Sequence, residues 1–156
     1  MKPFYPPYGH TSYMEIKETL MNRSFAVMNS DPYLLALKAM EEISKYAKVI
    51  ESTNTYESDG PHHRSHVSFD TIEIVDDFAR IVFTFDMRGE NGMLRVNIDG
   101  FLDLKIDEIG FFTQTFSDYY VKTLFPLLRK VSEAQIKFYG DKVDEIFTVH
   151  KEAIQN

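Results

Sequence analysis

Two long alternating segments on either side of a glycine-containing loop constrain the fold of this chain most strongly. Residues 78–88 place apolar side chains at every second position, and residues 94–106 hold apolar residues and one glycine at a single parity. A period of two is typical of strands that bury one face. The segment between them, Gly-Glu-Asn-Gly at 89–92, favours a hairpin loop. The sequence therefore predicts a long antiparallel hairpin, with a bend at Gly100 in its second strand.

The hydrophobic pattern also predicts a register for this hairpin. With residues 89–92 as the loop, the apolar residues of the two strands share one face and the charged residues share the other. A slip by one residue would mix the two faces, so we expect the pattern to enforce the register. The predicted pairs are Arg88 with Met93, Phe85 with Val96, Asp86 with Arg95, and Arg80 with Phe101.

A third strand is predicted over residues 66–75, just before the hairpin. Its apolar residues change parity between Phe69 and Ile72, so we expect a β-bulge near residues 70–71. Residues 51–65 are mostly polar and include Asp59-Gly60-Pro61, which is typical of a turn. We interpret this polar segment as a loop in which a short edge strand is the alternative for residues 53–56.

Two helices are predicted before the sheet. Ser12 and Glu15 form a capping-box signature, which opens a helix that extends to about residue 28. Ser30-Asp31-Pro32 combines a capping residue with a proline in the first turn and starts a second helix, which extends to about residue 49. The apolar stripe of this second helix is predicted to comprise Tyr33, Leu37, Met40, Ser44 and Ala47.

A long helix is predicted after the sheet, over residues 115–139. Pro126 lies inside it and is expected to kink it, because the proline ring clashes with a preceding backbone carbonyl. Gly140-Asp141 favours a stop followed by a new cap. A short last helix is then predicted, with Val143 and Phe147 on its apolar face.

Composition narrows the class of protein. A length of 156 residues predicts a single domain, 1–156, in which the Pro- and Tyr-rich residues 1–11 form an extended arm. The absence of cysteine excludes a disulfide scaffold, a thiolate zinc site and a cysteine nucleophile. No apolar stretch approaches the roughly 20 residues of a membrane span, and the first residues lack the apolar core of a secretory signal. We therefore expect a cytoplasmic protein with no membrane partner.

The charge is unevenly distributed along the chain. The formal net charge of −7 argues against nonspecific nucleic-acid binding, which needs a footprint of Lys and Arg. Residues 67–112 hold ten acidic and four basic residues, which is a charge of −6. We expect Arg80 and Arg95 to be cross-strand neighbours of acids on a water-facing sheet surface, and a face that binds a cation or a partner is the alternative. The acids predicted to share this polar face are Glu73, Asp86, Asp99 and Asp103.

The predicted order of elements is helix, helix, antiparallel meander, long helix and short helix. This order indicates an α+β fold in which helices cover one face of a sheet of three or four strands. The layout resembles that of helix-grip, START-like ligand-binding proteins, in which a long C-terminal helix lies across a curved sheet. The resemblance is one of layout alone, and the opening strand of that family is not predicted for this chain.

Two groups of side chains are candidates for a functional site. A long helix over a curved sheet can enclose an apolar cavity, and we expect Met87, Tyr119 and Tyr120 to line it. Packing in the core is the alternative role for the aromatic residues. The second group consists of three clustered histidines of the predicted loop, His62, His63 and His66. Imidazole is a common metal ligand, although their spacing matches no known zinc signature, and exposed loop histidines are the alternative.

Three functions are compatible with these features. The first is a module that binds an apolar small molecule, and the second is a homo-oligomeric protein-interaction module or subunit. The third is a metal-dependent enzyme that uses the His62, His63 and His66 loop. We assign no catalytic residue and no cofactor, because the chain has no glycine-rich phosphate loop, nucleophile elbow or metalloprotease motif.

Overall fold

The computed structural model describes residues 12–75, 79–108 and 125–155. All neighbouring strands are antiparallel, and the sheet order is β1-β5-β4-β3-β2. The predicted α+β class with a long C-terminal helix is confirmed, and the sheet has five strands rather than three or four. The elements are β1 (Ser12–Met28), α1 (Pro32–Ser44), β2 (Val49–Asp59), β3 (His62–Ile74), β4 (Ala79–Glu90), β5 (Met93–Glu108) and α2 (Phe125–Gln155).

One face of the sheet, here called the inner face, carries the hydrophobic core and is covered by both helices. Alternate residues of the central strands are buried there, as the period of two predicts. The opposite, outer face carries most of the polar residues of these strands. The buried apolar residues of β3, β4 and β5 are Val67, Phe69, Ala79, Ile81, Phe83, Phe85, Met87, Leu94, Val96, Ile98, Leu102 and Leu104 on the inner face, with Val82 on the outer face.

The hairpin of β4 and β5 closes through a tighter turn than the sequence pattern predicts. Asn91 and Gly92 have φ angles of 45° and 84°, and such positive values at both central residues are typical of a type I′ turn. The two residues before them stay in β4, so Glu90 pairs with Met93. Asn-Gly is the preferred sequence for this turn because both residues tolerate positive φ.

The tighter turn displaces the register by two residues, and the predicted pairs are wrong. A shift of two residues keeps every side chain on its predicted face, because the side-chain period of a strand is also two. The observed partners are Arg88 with Arg95, Phe85 with Ile98, Asp86 with Asn97, and Arg80 with Asp103. The hydrophobic pattern therefore determines the faces, whereas the turn determines the partners.

β1 replaces the helix predicted for residues 12–28, and that prediction is wrong. The strand pairs with β5 over its whole length, with one register shift between Thr19 and Met21. After the shift, Phe25 and Val27 face the helices, and the Phe25 ring contacts that of Phe147 at 5.3 Å between centroids. Capping signals act locally, whereas the free edge of β5 supplies a full row of backbone partners. The first described element is therefore a strand and not a helix.

β2 and β3 form a second hairpin where the sequence favours a loop. The turn at Asp59-Gly60-Pro61 is confirmed, with a φ of 62° at the glycine, but strands flank it on both sides. The bulge predicted in β3 is wrong, because β3 pairs regularly with β4 throughout. The register shift lies in β2, between Glu51 and Thr53. Thr71 takes the buried position on β3 and Ile72 the outer one, which explains the change of apolar parity.

α1 begins where the capping signal predicts. The Asp31 carboxylate accepts a hydrogen bond from the backbone N–H of Leu34 at 3.1 Å, and a proline occupies the first turn. The helix ends at Ser44 rather than near residue 49, and it turns a different stripe to the sheet. The small side chains in that stripe allow a close approach to the sheet. Its buried residues are Leu35, Ala36, Ala39 and Ile43.

α2 is one helix where the sequence predicts two. Its described part begins at Phe125, next to Pro126, so the kink predicted at this proline stays a prediction. The predicted stop at Gly140-Asp141 is wrong. Tyr139 and Val143 on either side are both buried against the core, and this burial favours a continuous helix.

Within the described ranges, neither helix combines the length and apolar character that crossing a bilayer requires. The arm 1–11 and residues 115–124 of the predicted helix lie outside those ranges.

Candidate functional site

A cleft of about 490 Å³ lies where the inner face of the sheet meets α2 and the segment after α1, and we call it the helix–sheet cleft. The segment after α1, the end of β3, the beginning of β4 and the middle of α2 surround it. It lies in the region where the predicted layout expects a ligand. Its lining residues are Tyr46, Ala47, Lys48, Thr71, Ile72, Glu73, Ile74, Ile81, Phe83, Gln135, Phe138 and Tyr139.

Aromatic rings form one wall of the helix–sheet cleft. The buried ring of Tyr139 lies 4.2 Å from that of Phe83, measured between centroids. Phe138 packs edge-on against Tyr139 at 5.2 Å and against Tyr46 at 5.6 Å. Edge-to-face contacts of this kind fix the relative orientation of the rings. Because the rings come from the segment after α1, from β4 and from α2, the wall exists only when these three parts of the chain are packed together.

A buried hydroxyl lies at the base of this wall. The Tyr139 side chain interacts with Thr71, a polar residue at a buried position of β3. Burial raises the pKa of Tyr139 from its ordinary value of 10.0. The interaction with Thr71 opposes part of this increase, and the negative charge of Glu73 adds a smaller one. The hydroxyl therefore stays protonated at neutral pH and remains a hydrogen-bonding group.

Glu73 supplies a carboxylate beside the same cleft, which corrects its predicted position. It pairs with Ile81 and lies on the inner-face side, whereas Ile74 takes the position opposite Arg80. The side-chain amide of Gln135 donates to both carboxylate oxygens of Glu73, at 3.1 and 3.3 Å. This contact joins the end of β3 to α2 and holds an acceptor next to the aromatic wall.

A lysine holds the outer ring of the wall in place. The Lys142 ammonium lies 4.2 Å from the centroid of the Tyr46 ring and 3.5 Å from a carboxylate oxygen of Glu145. Hydrogen bonding to Tyr46 raises the pKa of Lys142, and the charge of Glu145 adds to this effect. The permanent cation over the ring stabilises its position against Phe138.

The residues predicted to line a pocket fall in different places. Met87 is fully buried in the core and does not line the helix–sheet cleft. Tyr119 and Tyr120 lie outside the described residues, so the predicted group of three stays a prediction. The sequence analysis missed Tyr139 as a lining residue. The adjacent aromatic pair Phe138-Tyr139 on a helix facing an aromatic strand is the signal that could have revealed it.

The three clustered histidines lie on β3 and not in a loop, and the strand separates them. His63 accepts or donates a hydrogen bond at 2.8 Å with the Tyr56 hydroxyl, on the side of α1. His66 contacts Asp86 at 2.5 Å on the outer face, and His62 lies near Asn91 at the turn. In the part of the chain that the structure describes, no group of three or more His, Asp or Glu side chains could hold a metal ion. The alternation of side chains along a strand explains this dispersal.

Three of the four acids predicted for the outer face lie there, and each is engaged by a donor. The displaced register gives them different partners from those predicted, because Arg95 lies opposite Arg88 instead of Asp86. The contacts are Asp86 with His66 at 2.5 Å and Arg88 at 3.4 Å, Asp99 with Asn22 at 2.6 Å and Asn97 at 3.1 Å, and Asp103 with Arg80 at 3.0 Å.

Comparisons of the chain with protein-family models, with curated proteins and with solved structures gave no match.

Proposed function

We propose that this protein binds a small molecule in the helix–sheet cleft. The observation that carries the proposal is that one cleft combines the aromatic wall of Phe83 and Phe138 with the buried hydroxyl of Tyr139. Small-molecule sites typically occupy about 300–1,000 Å³ and combine apolar walls with a few placed polar groups. The volume of about 490 Å³ falls in this range.

The lining chemistry favours a ligand with an apolar, ring-shaped body and a hydrogen-bond donor. The rings provide affinity through burial, at about 25 cal/mol for each Å² of apolar surface removed from water. Tyr139 and the Glu73 carboxylate provide acceptors at one end of the wall. A ligand amine or hydroxyl placed there would be oriented by both groups.

The fluorescence of N-phenyl-1-naphthylamine, a neutral aromatic probe, tests this proposal directly. We expect wild-type protein to enhance its emission, and Ala47→Phe, which fills the cleft, to weaken binding by about tenfold or more. Lys137→Ala, at an exposed position of α2, is the matched control and should bind the probe as wild type does. Tyr139→Phe keeps the ring and should weaken binding less than Ala47→Phe. Equal binding by wild type and a folded Ala47→Phe variant would contradict the proposal.

Native mass spectrometry of protein purified without added metal tests the natural occupant. A copurified mass that is absent from Ala47→Phe supports a ligand in the helix–sheet cleft. A stable dimer with no additional mass would instead favour the interaction module. A stoichiometric metal that is lost in His62→Ala and His66→Ala variants would favour the metal-dependent enzyme. Either of the last two results would overturn the proposal.

A further inference from the structure

A second cleft, of about 400 Å³, lies on the outer face across β2, β3, β4 and β5. We call it the arginine cleft, because Arg64, Arg88 and Arg95 line it together with His66. It lies on the opposite side of the sheet from the helix–sheet cleft and shares none of the described lining residues with it. A ligand in one cleft therefore leaves the other accessible.

The strand register aligns three of these side chains in one row. His66 pairs with Arg88 across β3 and β4, and Arg88 pairs with Arg95 across β4 and β5. The Cβ atoms of directly opposed residues are about 5 Å apart, and like charges in such positions destabilise a sheet. The row ends in Thr55 on β2 and Ala26 on β1, so it contains no carboxylate. The two arginines therefore repel each other unless an anion lies between them.

On one side of this row, the nearest carboxylates are already engaged. Asp86 contacts His66 at 2.5 Å and the Nε of Arg88 at 3.4 Å. Asp99 is bonded by side-chain amides of β1 and β5. Across the ranges that the structure describes, Arg95 forms no ion pair. Its guanidinium group is thus placed on a folded surface without a compensating charge.

Arg64 occupies the next row, between two glutamates. It lies opposite Glu57 on β2 and Glu90 on β4, and both glutamates belong to the lining of the arginine cleft. Arg64 forms no ion pair with either of them, nor with any other acid among the described residues. Among the described residues, two of the three arginines of the cleft, Arg64 and Arg95, therefore form no ion pair, Arg88 contacts Asp86, and carboxylates lie along one side. This arrangement favours a compact anion that reaches Arg88 and Arg95 while it avoids the glutamates.

We propose that the arginine cleft binds the phosphate group of a small organic phosphate. Guanidinium groups bind phosphate oxygens through parallel N–H donors, and a dianion between Arg88 and Arg95 cancels their repulsion. Beside Arg95 the surface continues as a depression over Ala26 and Asn97, which leaves room for the organic part of the ligand. Carboxylates fit the same donor geometry, so the experiment must compare the two oxyanions.

Isothermal titration calorimetry of the full chain with pyrophosphate and with citrate tests the proposal. We expect pyrophosphate to bind more tightly than citrate and to bind less tightly as ionic strength rises. Arg95→Gln should lower the affinity for pyrophosphate by about tenfold or more, and Glu90→Gln should raise it by removing a repulsive charge. Lys137→Gln makes the same change of charge at an exposed site on α2 and should leave the affinity unchanged.

Thermal unfolding provides a second readout that separates binding from folding. Without an anion, Arg95→Gln should unfold at the same temperature as wild type or at a higher one, because a like-charge pair is lost. Pyrophosphate should raise the unfolding temperature of wild type and not that of Arg95→Gln. The proposal is overturned by an absence of pyrophosphate binding to wild type, by preferential binding of citrate, or by equal pyrophosphate affinity of Arg95→Gln and Lys137→Gln.

Discussion

Gly100 is the position where the absence of a side chain allows an aromatic ring to pack across a strand. A Cβ atom at this position would overlap with the ring of Phe83, which lies directly opposite on β4. The Phe83 ring in turn contacts Tyr139 of α2. The sequence predicts a bend at Gly100, but this glycine lies in the continuous strand β5. Its lack of a side chain leaves the space that the Phe83 ring occupies.

Gly100→Ala is expected to destabilise the protein by about 1–3 kcal/mol, because the added methyl group overpacks the core against the Phe83 ring. Urea unfolding monitored by circular dichroism measures the effect. The same substitution in a Phe83→Leu background should cost less, since a smaller side chain leaves space for the methyl group. Equal costs in both backgrounds would show that the close approach of the ring is not the cause.

At the scale of elements, two signals determine how β4 and β5 pair. The hydrophobic pattern determines which face each residue occupies, and the turn determines the register. The pattern places Phe83 and Phe85 on the inner face in either register. The Asn91-Gly92 turn then selects the register in which Arg80 lies opposite Asp103. Their side chains form an ion pair at 3.0 Å, and only the aspartate is buried.

Double-mutant cycles distinguish the observed register from the one that the pattern alone predicts. Arg80 and Asp103 should show a favourable coupling of about 0.5–1 kcal/mol that weakens with salt, because they are directly opposed. Asp86 and Arg95, which are directly opposed only in the alternative register, should show a smaller coupling. The reverse order of the two couplings, measured by urea unfolding, would contradict the register.

At the scale of the whole molecule, β1 depends on partners that are distant in sequence. It completes the sheet along β5, and two ion pairs join it to α2. Glu18 contacts Arg129 at 2.5 Å, and Arg23 pairs with Asp144. Both ion pairs lie on the inner-face side, so α2 covers β1 and fixes it against the sheet.

A charge reversal at one of these pairs tests the contact between β1 and α2. Arg23→Glu should lower the free energy of unfolding by about 0.5–1 kcal/mol, and adding Asp144→Arg should restore most of the loss. Both side chains are partly exposed, so high salt should reduce the difference. The matched pair Lys137 and Asp141 lies within α2 alone, and its reversal should change stability much less. A lack of restoration in the double variant would contradict the contact.

Several features could be predicted from sequence because their signals are local. The alternation of residues 79–87 and 94–104 identifies two strands and their buried faces. The start of α1 follows from Asp31 and Pro32, whose chemistry acts on the first turn alone. The α+β class follows from the order of such segments.

The tertiary structure decided which segments meet and which side chains face each other. Residues 12–28 carry a helical capping signal but form β1, because the backbone partners along β5 outweigh that signal. The helix α2 likewise continues through Gly140, because Tyr139 and Val143 on either side of this glycine are buried against the core. The lining residues of neither cleft could be predicted, because Tyr46, Phe83 and Tyr139 belong to distant segments, and the opposition of Arg88 and Arg95 depends on a two-residue shift in register. Periodicity in a sequence determines which face a residue occupies, whereas long-range packing and turn geometry determine its neighbours.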